Sequence, residues 1–316
     1  MVRYPLSSHD QRENCVNVGL CVPTLNAGAI WREWLKRTVP AAANARILVI
    51  DSSSDDETAS TARLAGLEVL VIKRSDFDHG GTRQLALYTL SDCDIVIFLT
   101  QDALVANDEA LTNLVAAFED PHVGAAFGRQ LPHKDATPLA AHARYFNYPP
   151  VSRVVGNTDV PRLGIKTAFL SNSFAAYRRE ALLAAGGFPQ GTILSEDMMA
   201  GARLLQKGWK LAYCADACVQ HSHNYSLQAE LRRYFDIGVF HSRERWLLAW
   251  LGKAEGEGKR FVLSEIRYLW RHAPWRLPEA AIRTLLKYAG YRLGKAEDRL
   301  PLALKRQLTM HRGYWP

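Results

Sequence analysis

A carboxylate follows a strongly apolar segment of this 316-residue chain. Residues Ile95 to Leu99 are all apolar, as in a strand buried on both faces, and Asp102 comes three positions later. Such a strand would deliver the carboxylate to the edge of a sheet, where ligands bind. Mg²⁺ or Mn²⁺ prefers one or two carboxylates plus phosphate oxygens, so Asp102 is the candidate ligand of a divalent cation. The alternative for this motif alone is an aspartate that caps a helix or a turn.

Two adjacent carboxylates, Glu196 and Asp197, follow Ser195 at the predicted start of a helix. Attack by an alcohol at an anomeric carbon needs a base that takes the hydroxyl proton, and a carboxylate can serve. We therefore expect Asp197 to be a catalytic base, with Glu196 beside it. The alternative role of Asp197 is helix capping, which the helix dipole favours but which Ser195 is expected to fill.

A glycine pair precedes another predicted helix. The segment from Asp78 to Arg83 contains Gly80 and Gly81, and backbone N–H groups at a helix start attract phosphate. Arg83 lies one turn into the helix and would add a counter-charge. The alternative for Arg83 is an ordinary surface ion pair.

Polar residues also end the first two predicted strands. Pro23 ends the first strand, Thr24 and Asn26 follow it, and Asp51 ends the second. A carboxylate at this position can accept hydrogen bonds from a pyrimidine base or a ribose. Asp55, which follows in the same loop, is more simply the cap of the next helix.

Two histidines, His221 and His223, come after a strand predicted around residues 210–214. An imidazole there could supply a third metal ligand or a phosphate contact. Two histidines at this spacing are not specific for metal, so a structural role stays open.

Hydrophobic periodicity alternates between strand and helix over the first 118 residues. Buried strands appear as short apolar runs, and the last helix shows the stripe Leu111, Leu114, Val115 and Phe118. This alternation predicts an α/β fold with a mainly parallel sheet flanked by helices, and ligands beyond the carboxyl ends of its strands. The predicted strands are 16–23, 46–51, 68–73 and 94–100, and the predicted helices are 29–39, 56–65, 82–90 and 108–118.

The pattern is less regular after Arg129. Residues 131–163 contain five prolines and are predicted to form a loop-rich excursion that shapes an acceptor site. Residues 166–177 resume strand character, a helix over 178–185 ends at Gly186 and Gly187, and Ser195 caps a helix that runs to about Lys207.

The chain divides into residues 1–225, the α/β domain, and residues 226–316, a mainly helical extension with a hinge-like linker at 252–258. The extension holds 18 Lys and Arg against 9 Asp and Glu, and five of the eight tryptophans. Basic residues mixed with Trp and Tyr often mark a membrane surface. A solvated helical face or a homo-oligomer interface would explain the composition equally well. The five tryptophans are Trp246, Trp250, Trp270, Trp275 and Trp315.

Composition favours a cytoplasmic protein, either free or peripheral at the inner face of the cell membrane. No apolar run is long enough to cross a bilayer, and residues 1–14 are too polar for a secretory signal. Five scattered cysteines suit buried thiols in a reducing compartment. The pI near 9.2 alone would suggest nucleic acid, but the basic excess is confined to the extension and no nucleic-acid motif is present, so no such partner is expected.

Taken in order over residues 16–225, these motifs resemble the inverting family 2 glycosyltransferases, which have the GT-A nucleotide-diphospho-sugar transferase fold. The particular likeness is to bacterial rhamnosyltransferases. No single motif is decisive, whereas the ordered set is specific. The segments that carry the resemblance are Val22–Asn26, Asp51–Thr58, Phe77–Arg83, Thr100–Ala103, Gly186–Phe188, Ser195–Asp197 and His221–His223.

The resemblance implies a transfer reaction in which Asp197 is the base and Asp102 binds Mg²⁺ or Mn²⁺. Asp51 and the loop from Pro23 to Asn26 would hold the base and ribose of the donor. The donor site would also include Gly80, Gly81, Arg83 and Gln101. One departure concerns the metal motif, where Thr100 stands in place of the usual first acidic residue, so His221 or His223 would complete the site.

The versions of these motifs in this chain resemble those of enzymes that use dTDP-L-rhamnose as the donor. A saccharide acceptor, lipid-linked or part of a cell-surface polysaccharide such as lipopolysaccharide O-antigen, is implied by the same likeness. A sugar nucleotidyltransferase is an alternative, but its glycine loop would follow the first strand and not the third. A carbohydrate-binding protein or a nucleic-acid-binding protein without catalysis is the other kind of alternative. A dehydrogenase is disfavoured because the first turn lacks G-x-G-x-x-G.

Overall fold

Nine strands and thirteen α-helices make up the described part of the chain, which is residues 16–252 and 255–316 of a computed structural model. The strands are β1 Val18–Thr24, β2 Ala45–Asp51, β3 Glu68–Val71, β4 Ile95–Leu99, β5 Leu104–Val105, β6 Val123–Leu131, β7 Arg153–Val155, β8 Phe174–Arg178 and β9 Lys210–Gln220. The helices are α1 Ala29–Ala41, α2 Thr58–Leu64, α3 His79–Thr89, α4 Ala110–Val115, α5 Pro138–Asn147, α6 Val160–Leu163, α7 Arg179–Ala184, α8 Glu196–Gln206, α9 Leu227–Arg243, α10 Arg245–Leu251, α11 Glu255–His272, α12 Leu277–Lys295 and α13 Leu302–Leu308.

The strands form one mixed sheet in the order β3-β2-β1-β4-β8-β6-β9-β5, and β7 also pairs with β9. The parallel arrangement predicted for the first four strands is confirmed, because β1, β2, β3 and β4 pair in parallel. Beyond β4 the sheet becomes mixed, since β8 is antiparallel to both β4 and β6. The carboxyl ends of β1, β2 and β4 therefore lie along one edge, which is where the candidate residues of the first half come together.

The core occupies both faces of the sheet. All five residues of β4 are buried, and alternate positions enter opposite apolar clusters, as the period of two in a strand requires. Val96 and Phe98 belong to one cluster, whereas Ile95 and Leu99 belong to the other. A strand covered on both faces explains why this segment is continuously apolar and why Asp102 can be positioned rigidly just beyond it.

The second half of the chain contains more structure than predicted. The prediction of a loop-rich excursion over residues 131–163 is wrong in part, because α5, β7 and α6 lie there. Strand character over 166–177 is also wrong in part, since a 3₁₀ helix spans Gly164–Ala168 and the strand begins only at Phe174. Helix α11 begins at Glu255, within the segment predicted to be a linker, and residues 253–254 lie outside the described residues.

The helical extension starts with α9 and packs closely on itself. Ser226 Oγ accepts a hydrogen bond from Ala229 N at 3.1 Å and so caps α9. Helices α9 and α12 touch through glycines: a Cβ on Gly294 would lie 2.0 Å from the Phe235 carbonyl oxygen. Phe235 is itself fully buried in the same apolar cluster as β4 residues, so the extension shares its core with the α/β part. The division at residue 225 remains a prediction.

Two predicted helix caps are wrong. Ser195 precedes α8 with a left-handed φ of 61° and makes no side-chain capping hydrogen bond. Asp55 does not cap α2, because its carboxylate pairs with Arg74 at 2.7 Å. Glu57 is the residue before α2 and makes no side-chain capping hydrogen bond, whereas Asp56 accepts the backbone N–H of Thr58 at 3.0 Å.

Candidate active site

Asp102, His221 and His223 form a compact cluster. Asp102 Oδ2 lies 3.5 Å from His221 Nε2 and 3.7 Å from His223 Nε2. One ligand atom from each residue falls within 4.8 Å of the others. The sheet brings them together, because Leu104 in β5 pairs with Gln220 at the end of β9. The structure thus places both predicted histidines beside the predicted metal aspartate.

Gln130 fixes the proton on His221. Arg144 can only donate, and it donates to Gln130 Oε1 at 2.5 Å, which identifies that atom as the amide oxygen. His221 Nδ1 is 2.9 Å from the same oxygen and must therefore carry a proton. The other nitrogen, Nε2, faces the Asp102 carboxylate and needs either a second proton or a cation between the two groups.

The electrostatics of the cluster favour a cation. Burial lowers the pKa of His221, and burial lowers the pKa of His223 to about 4, which favours the neutral form of each ring. Burial opposes ionisation of Asp102, but its contact with His221 holds the pKa of this carboxyl well below its usual range. One carboxylate and two neutral imidazoles are suitable ligands for a divalent ion.

A cavity of about 490 Å³ opens beside the cluster. Two of its residues, His133 and Asp135, come from the segment predicted to shape an acceptor site, but neither was singled out from the sequence. His133 Nε2 contacts the Asp102 carbonyl oxygen at 3.2 Å, so this segment is held against the cluster. The cavity is lined by Ile30, Asp102, His133, Asp135, Ser222, His223, Asn224 and Tyr225.

The loops after β1 and β2 are tied together around Asp51. This carboxylate is 1% exposed and accepts hydrogen bonds from Thr24 Oγ1 at 2.9 Å, Ser54 Oγ at 2.6 Å and Ser54 N at 2.8 Å. Asn26 is exposed with a left-handed φ of 45°, and its Oδ1 accepts the backbone N–H of Asp55. Pro23 is only partly buried within β1, which ends at Thr24 and not at the proline. Asp51 therefore organises the loop, and its contact with a nucleotide remains a prediction.

Gln101 joins this loop to the Asp102 cluster. Its Oε1 accepts from Leu25 N at 2.8 Å, and its Nε2 donates to Leu25 O at 3.1 Å. Both ends of the amide are thus used to hold the loop after β1 next to Asp102. A donor contact by Gln101 stays a prediction.

Arg83 does not lie free at the start of α3. It is buried, donates to the His79 carbonyl oxygen at 2.8 Å and pairs with Glu196 at 3.1 Å. The expectation that it faces phosphate is not met in this structure, because burial of the guanidinium requires a charged partner and Glu196 supplies it.

The glycine pair at the same helix start is also engaged. Asp78 caps the helix by accepting the Gly81 backbone N–H. Gly80 packs so closely on the chain that an added Cβ would lie 1.6 Å from the Pro189 carbonyl oxygen. Close packing explains why glycines occupy these positions, and their contact with phosphate remains a prediction.

Glu196 and Asp197 have opposite electrostatic environments although they are adjacent. Burial opposes ionisation of Glu196, but the charge of Arg83, together with His79 and the hydrogen bond from Asn172, lowers the pKa of this carboxyl. Asp197 is partly buried, and desolvation together with the Glu196 charge raises its pKa to about 7. Two carboxylates whose pKa values are driven apart are typical of acid and base pairs.

Asn172 holds both carboxylates and was not predicted. It is buried, and its Nδ2 donates to Glu196 Oε1 at 3.0 Å while its backbone N–H donates to Asp197 Oδ2 at 3.1 Å. Its Oδ1 accepts from Tyr177 at 2.7 Å. A single asparagine within an apparent strand gives no sequence signal for this role.

The C-terminal extension also reaches the site. The His311 ring packs edge-on against His79 at 5.1 Å between centroids, next to the Arg83 and Glu196 pair. Arg233 in α9 stacks over Tyr225, which lines the cavity, at 5.6 Å. His311 is remote in sequence from every motif, so sequence reasoning could not connect it with the site.

Comparison with known proteins decides the family. The family model described as glycosyltransferase like family 2 matches residues 16–235. The chain belongs to glycosyltransferase family 2. The match spans all nine strands, and with them both the Asp102 cluster and the Glu196 and Asp197 pair.

Two curated relatives match this glycosyltransferase over nearly its whole length. It is 48% identical over 305 residues to the O-antigen chain rhamnosyltransferase RfbN of Salmonella typhimurium, which covers 95% of this chain and 96% of the relative. It is 49% identical over 301 residues to the O-antigen chain rhamnosyltransferase WbaN of Salmonella anatum, with coverage of 94% and 95%. The predicted enzyme class is confirmed.

Solved structures confirm the predicted GT-A fold. The Pyrobaculum calidifontis mannosyltransferase PcManGT, in complex with GDP-mannose and Mn²⁺, aligns with a TM-score of 0.55 at 21% identity and covers 95% of this glycosyltransferase and 84% of itself. TarS of S. aureus with UDP-GlcNAc aligns with a TM-score of 0.52 at 14% identity, covering 90% and 91%. Among the helices described in this family member, none has the length and apolar character needed to cross a membrane.

Proposed function

We propose that this glycosyltransferase transfers L-rhamnose from dTDP-L-rhamnose, with inversion, to a hydroxyl of a saccharide acceptor in O-antigen assembly. The identities of 48% and 49% to two O-antigen chain rhamnosyltransferases support the sugar and the pathway. The observation that carries the mechanism is the pair of adjacent carboxylates, in which Asp197 alone has its pKa raised to about 7.

In this proposal Asp197 takes the proton of the acceptor hydroxyl. The acceptor oxygen then forms a bond to the anomeric carbon, while the bond from that carbon to the diphosphate oxygen breaks and dTDP leaves with the electron pair. A base whose pKa is near ambient pH is both available and strong enough for this transfer. Attack opposite the leaving group inverts a β-L-linked donor to an α-L-rhamnoside.

Glu196 has a supporting part. Because Arg83 keeps it ionised, its negative charge raises the pKa of Asp197. Asn172 holds the two carboxylates in a fixed relation, so Asp197 does not have to be ordered at the moment of reaction.

Asp102, His221 and His223 would hold Mg²⁺ or Mn²⁺. The fit rests on His221, whose Nδ1 donates to Gln130 while its Nε2 faces the Asp102 carboxylate, so that a cation between the two groups would complement both. A bound divalent ion would neutralise charge that develops on the departing diphosphate. The donor would lie across the carboxyl ends of β1, β2 and β4, and the acceptor in the cavity beside His133 and Asp135.

The acceptor is proposed to be lipid-linked, which would make the enzyme peripheral at the inner face of the cell membrane. Homo-oligomerisation through the extension is the alternative use of that region.

The test is transfer of rhamnose from dTDP-L-rhamnose to a saccharide acceptor, with Asp197→Asn and Asp102→Ala as variants. We expect Asp197→Asn to lose most turnover while still binding dTDP, and Asp102→Ala to lose metal-dependent dTDP binding. If either variant keeps wild-type turnover and unchanged metal dependence, the role given to that residue is wrong. Protection against thermal unfolding by dTDP-, UDP- and GDP-sugars identifies the donor nucleotide independently.

A further inference from the structure

The tryptophans of the C-terminal extension differ greatly in exposure. Trp315 is 5% exposed, and Trp246 and Trp250 pack against the main apolar cluster. Trp270, near the end of α11, and Trp275, in the short connection to α12, are each 71% exposed. Of the five tryptophans in the extension, Trp270 and Trp275 are thus the two that face solvent, and they lie within five residues of each other.

The outward face of α11 combines apolar and basic side chains. Leu263, Ile266 and Trp270 are exposed and recur at helical spacing, so they form one stripe. Arg267 and Arg271 are exposed in the same stripe. Within the described residues neither arginine has a carboxylate partner, in contrast to Arg276, which pairs with Glu279 at 2.5 Å.

Helix α12 continues the exposed apolar character. Ile282 is 49% exposed and Leu285 is 68% exposed, whereas Gly290 and Gly294 of the same helix are buried against α9. The inner sides of α11 and α12 are held by a small buried cluster that contains Leu269 and Ala280. The two outward faces therefore belong to one helical hairpin that is already anchored to the protein.

The charge of this hairpin is strongly positive. Residues 255–295 contain nine Lys and Arg, four Glu and no Asp. Glu265 is buried, and Glu279 is paired with both Arg276 and Arg283. The exposed face is therefore basic as well as apolar, which is the combination that binds an anionic lipid surface.

We propose that this face of the hairpin docks the enzyme on an anionic lipid bilayer. We call it the hairpin surface. The inference rests on the proposed function, because a lipid-linked acceptor presents its sugar chain at such a bilayer. The hairpin surface consists of Leu263, Ile266, Arg267, Trp270, Arg271, Trp275, Ile282 and Leu285.

A second copy of the chain is the less favourable occupant. In a twofold dimer through the hairpin surface, the same patch meets itself. Arg267 and Arg271 of one copy would then face a patch that offers no exposed carboxylate to neutralise them, whereas anionic headgroups supply that charge. Trp270 and Trp275 suit the boundary between headgroups and acyl chains, because an indole has an apolar body and a polar N–H.

The test is flotation of the full-length chain with vesicles of phosphatidylethanolamine and phosphatidylglycerol, compared with vesicles of phosphatidylcholine. We expect wild-type protein to bind the anionic vesicles. Trp270→Ala with Trp275→Ala should lower the partition constant by at least about tenfold. Arg267→Gln with Arg271→Gln should lower it by about 5-fold per charge at low salt, and high salt should remove that difference.

A matched control carries the same kinds of change elsewhere. Arg63 and Leu64 are adjacent and exposed on α2, and Leu64 is 87% exposed, so Arg63→Gln with Leu64→Ala should leave vesicle binding unchanged. Transfer to a water-soluble saccharide acceptor should be the same in all these variants, since none touches the Asp102 cluster or Asp197.

The proposal is overturned if the wild-type protein does not float with the anionic vesicles, or if the tryptophan double variant floats like the wild type. A double variant that changes from dimer to monomer in sedimentation, without vesicle binding by wild type, assigns the hairpin surface to a second copy. The vesicle binding could behave as expected in a protein that transfers no rhamnose to the soluble acceptor. That result would support the hairpin surface as a membrane-docking site and would refute the proposed function.

Discussion

Asp102 and Asp197 lie at the two ends of one continuous series of polar contacts. Asp102 touches His221, and the other nitrogen of that ring contacts Gln130 Oε1 at 2.9 Å. Gln130 Nε2 donates to Ser171 Oγ at 2.8 Å, and the backbone N–H of the next residue donates to Asp197 Oδ2 at 3.1 Å. The candidate metal ligand and the candidate base are therefore held by one network, although 95 positions separate them in the chain.

Gln130 is the point in this network where a substitution should act on metal binding. Gln130→Ala removes the acceptor that fixes the His221 tautomer, so we expect metal affinity to fall by about 10–100-fold. Gln130→Glu keeps an acceptor for both His221 and Arg144 and should retain affinity. The measurement is the Mn²⁺ dependence of dTDP binding by calorimetry.

Gln228 offers the matched control, because it is exposed on α9 and is not among the residues found in contact with Asp102, His221 or His223 in the described part of the chain. Gln228→Ala should bind Mn²⁺ like wild type. Equal metal dependence in Gln130→Ala and Gln228→Ala, with both variants folded by circular dichroism, would remove Gln130 from the metal site.

Arg83 should be essential for stability because its ion pair is buried. The side chains of Arg83 and Glu196 are 6% and 7% exposed, so Arg83→Met would leave an uncompensated buried carboxylate. We expect a loss of about 3–5 kcal/mol in the free energy of unfolding by urea. The exposed pair of Arg32 and Glu57, at 78% and 75%, is the comparison, and Arg32→Met should cost at most about 1 kcal/mol. Equal costs for the two variants would show that burial of the pair does not matter.

Much of the first half of the fold was predictable, because its strands are continuous apolar runs and its helices have clear periodicity. The same regularity placed Asp102 correctly, since a carboxylate just beyond a buried strand has only one edge to occupy. The adjacent carboxylates Glu196 and Asp197 were likewise visible as a local motif.

What could not be predicted depends on contacts between remote segments. Nothing local shows that Arg83 would pair with Glu196, 113 positions away, and not face phosphate. Asn172 lies between two serines and Gln130 follows an arginine, so neither stands out in the sequence, and their roles arise only when β6, β8 and α8 are packed together. The mixed part of the sheet has the same cause, because strand direction after β4 is set by tertiary pairing and not by periodicity.

Gly294 tests whether the extension is docked as tightly as the glycine contacts indicate. An added Cβ would lie 2.0 Å from the Phe235 carbonyl oxygen, which cannot move without separating α9 from α12. Gly294→Ala should therefore destabilise the protein by about 1–3 kcal/mol or more in urea unfolding. Gly258→Ala, on a helix position with open space around it, should instead stabilise by up to about 1 kcal/mol. Stabilisation by both substitutions would mean that α9 and α12 are not in close contact.

The pH dependence of transfer should report the ionisation of Asp197. Burial and the Glu196 charge raise its pKa to about 7, and the base is active only when deprotonated. The rate should therefore rise with pH through about 7 and level off above it, with an apparent pKa that belongs to the coupled pair of carboxylates. Glu196→Gln removes the neighbouring negative charge and should move the rising limb of the pH–rate profile to lower pH. Asp197→Asn should lower kcat by about 10²–10⁴-fold and abolish this rising limb. Glu57→Gln, on the exposed surface, should leave the profile in place. A profile that is flat between pH 5 and 8 in the wild-type enzyme, or one whose limb survives in Asp197→Asn, would assign the proton transfer to another group.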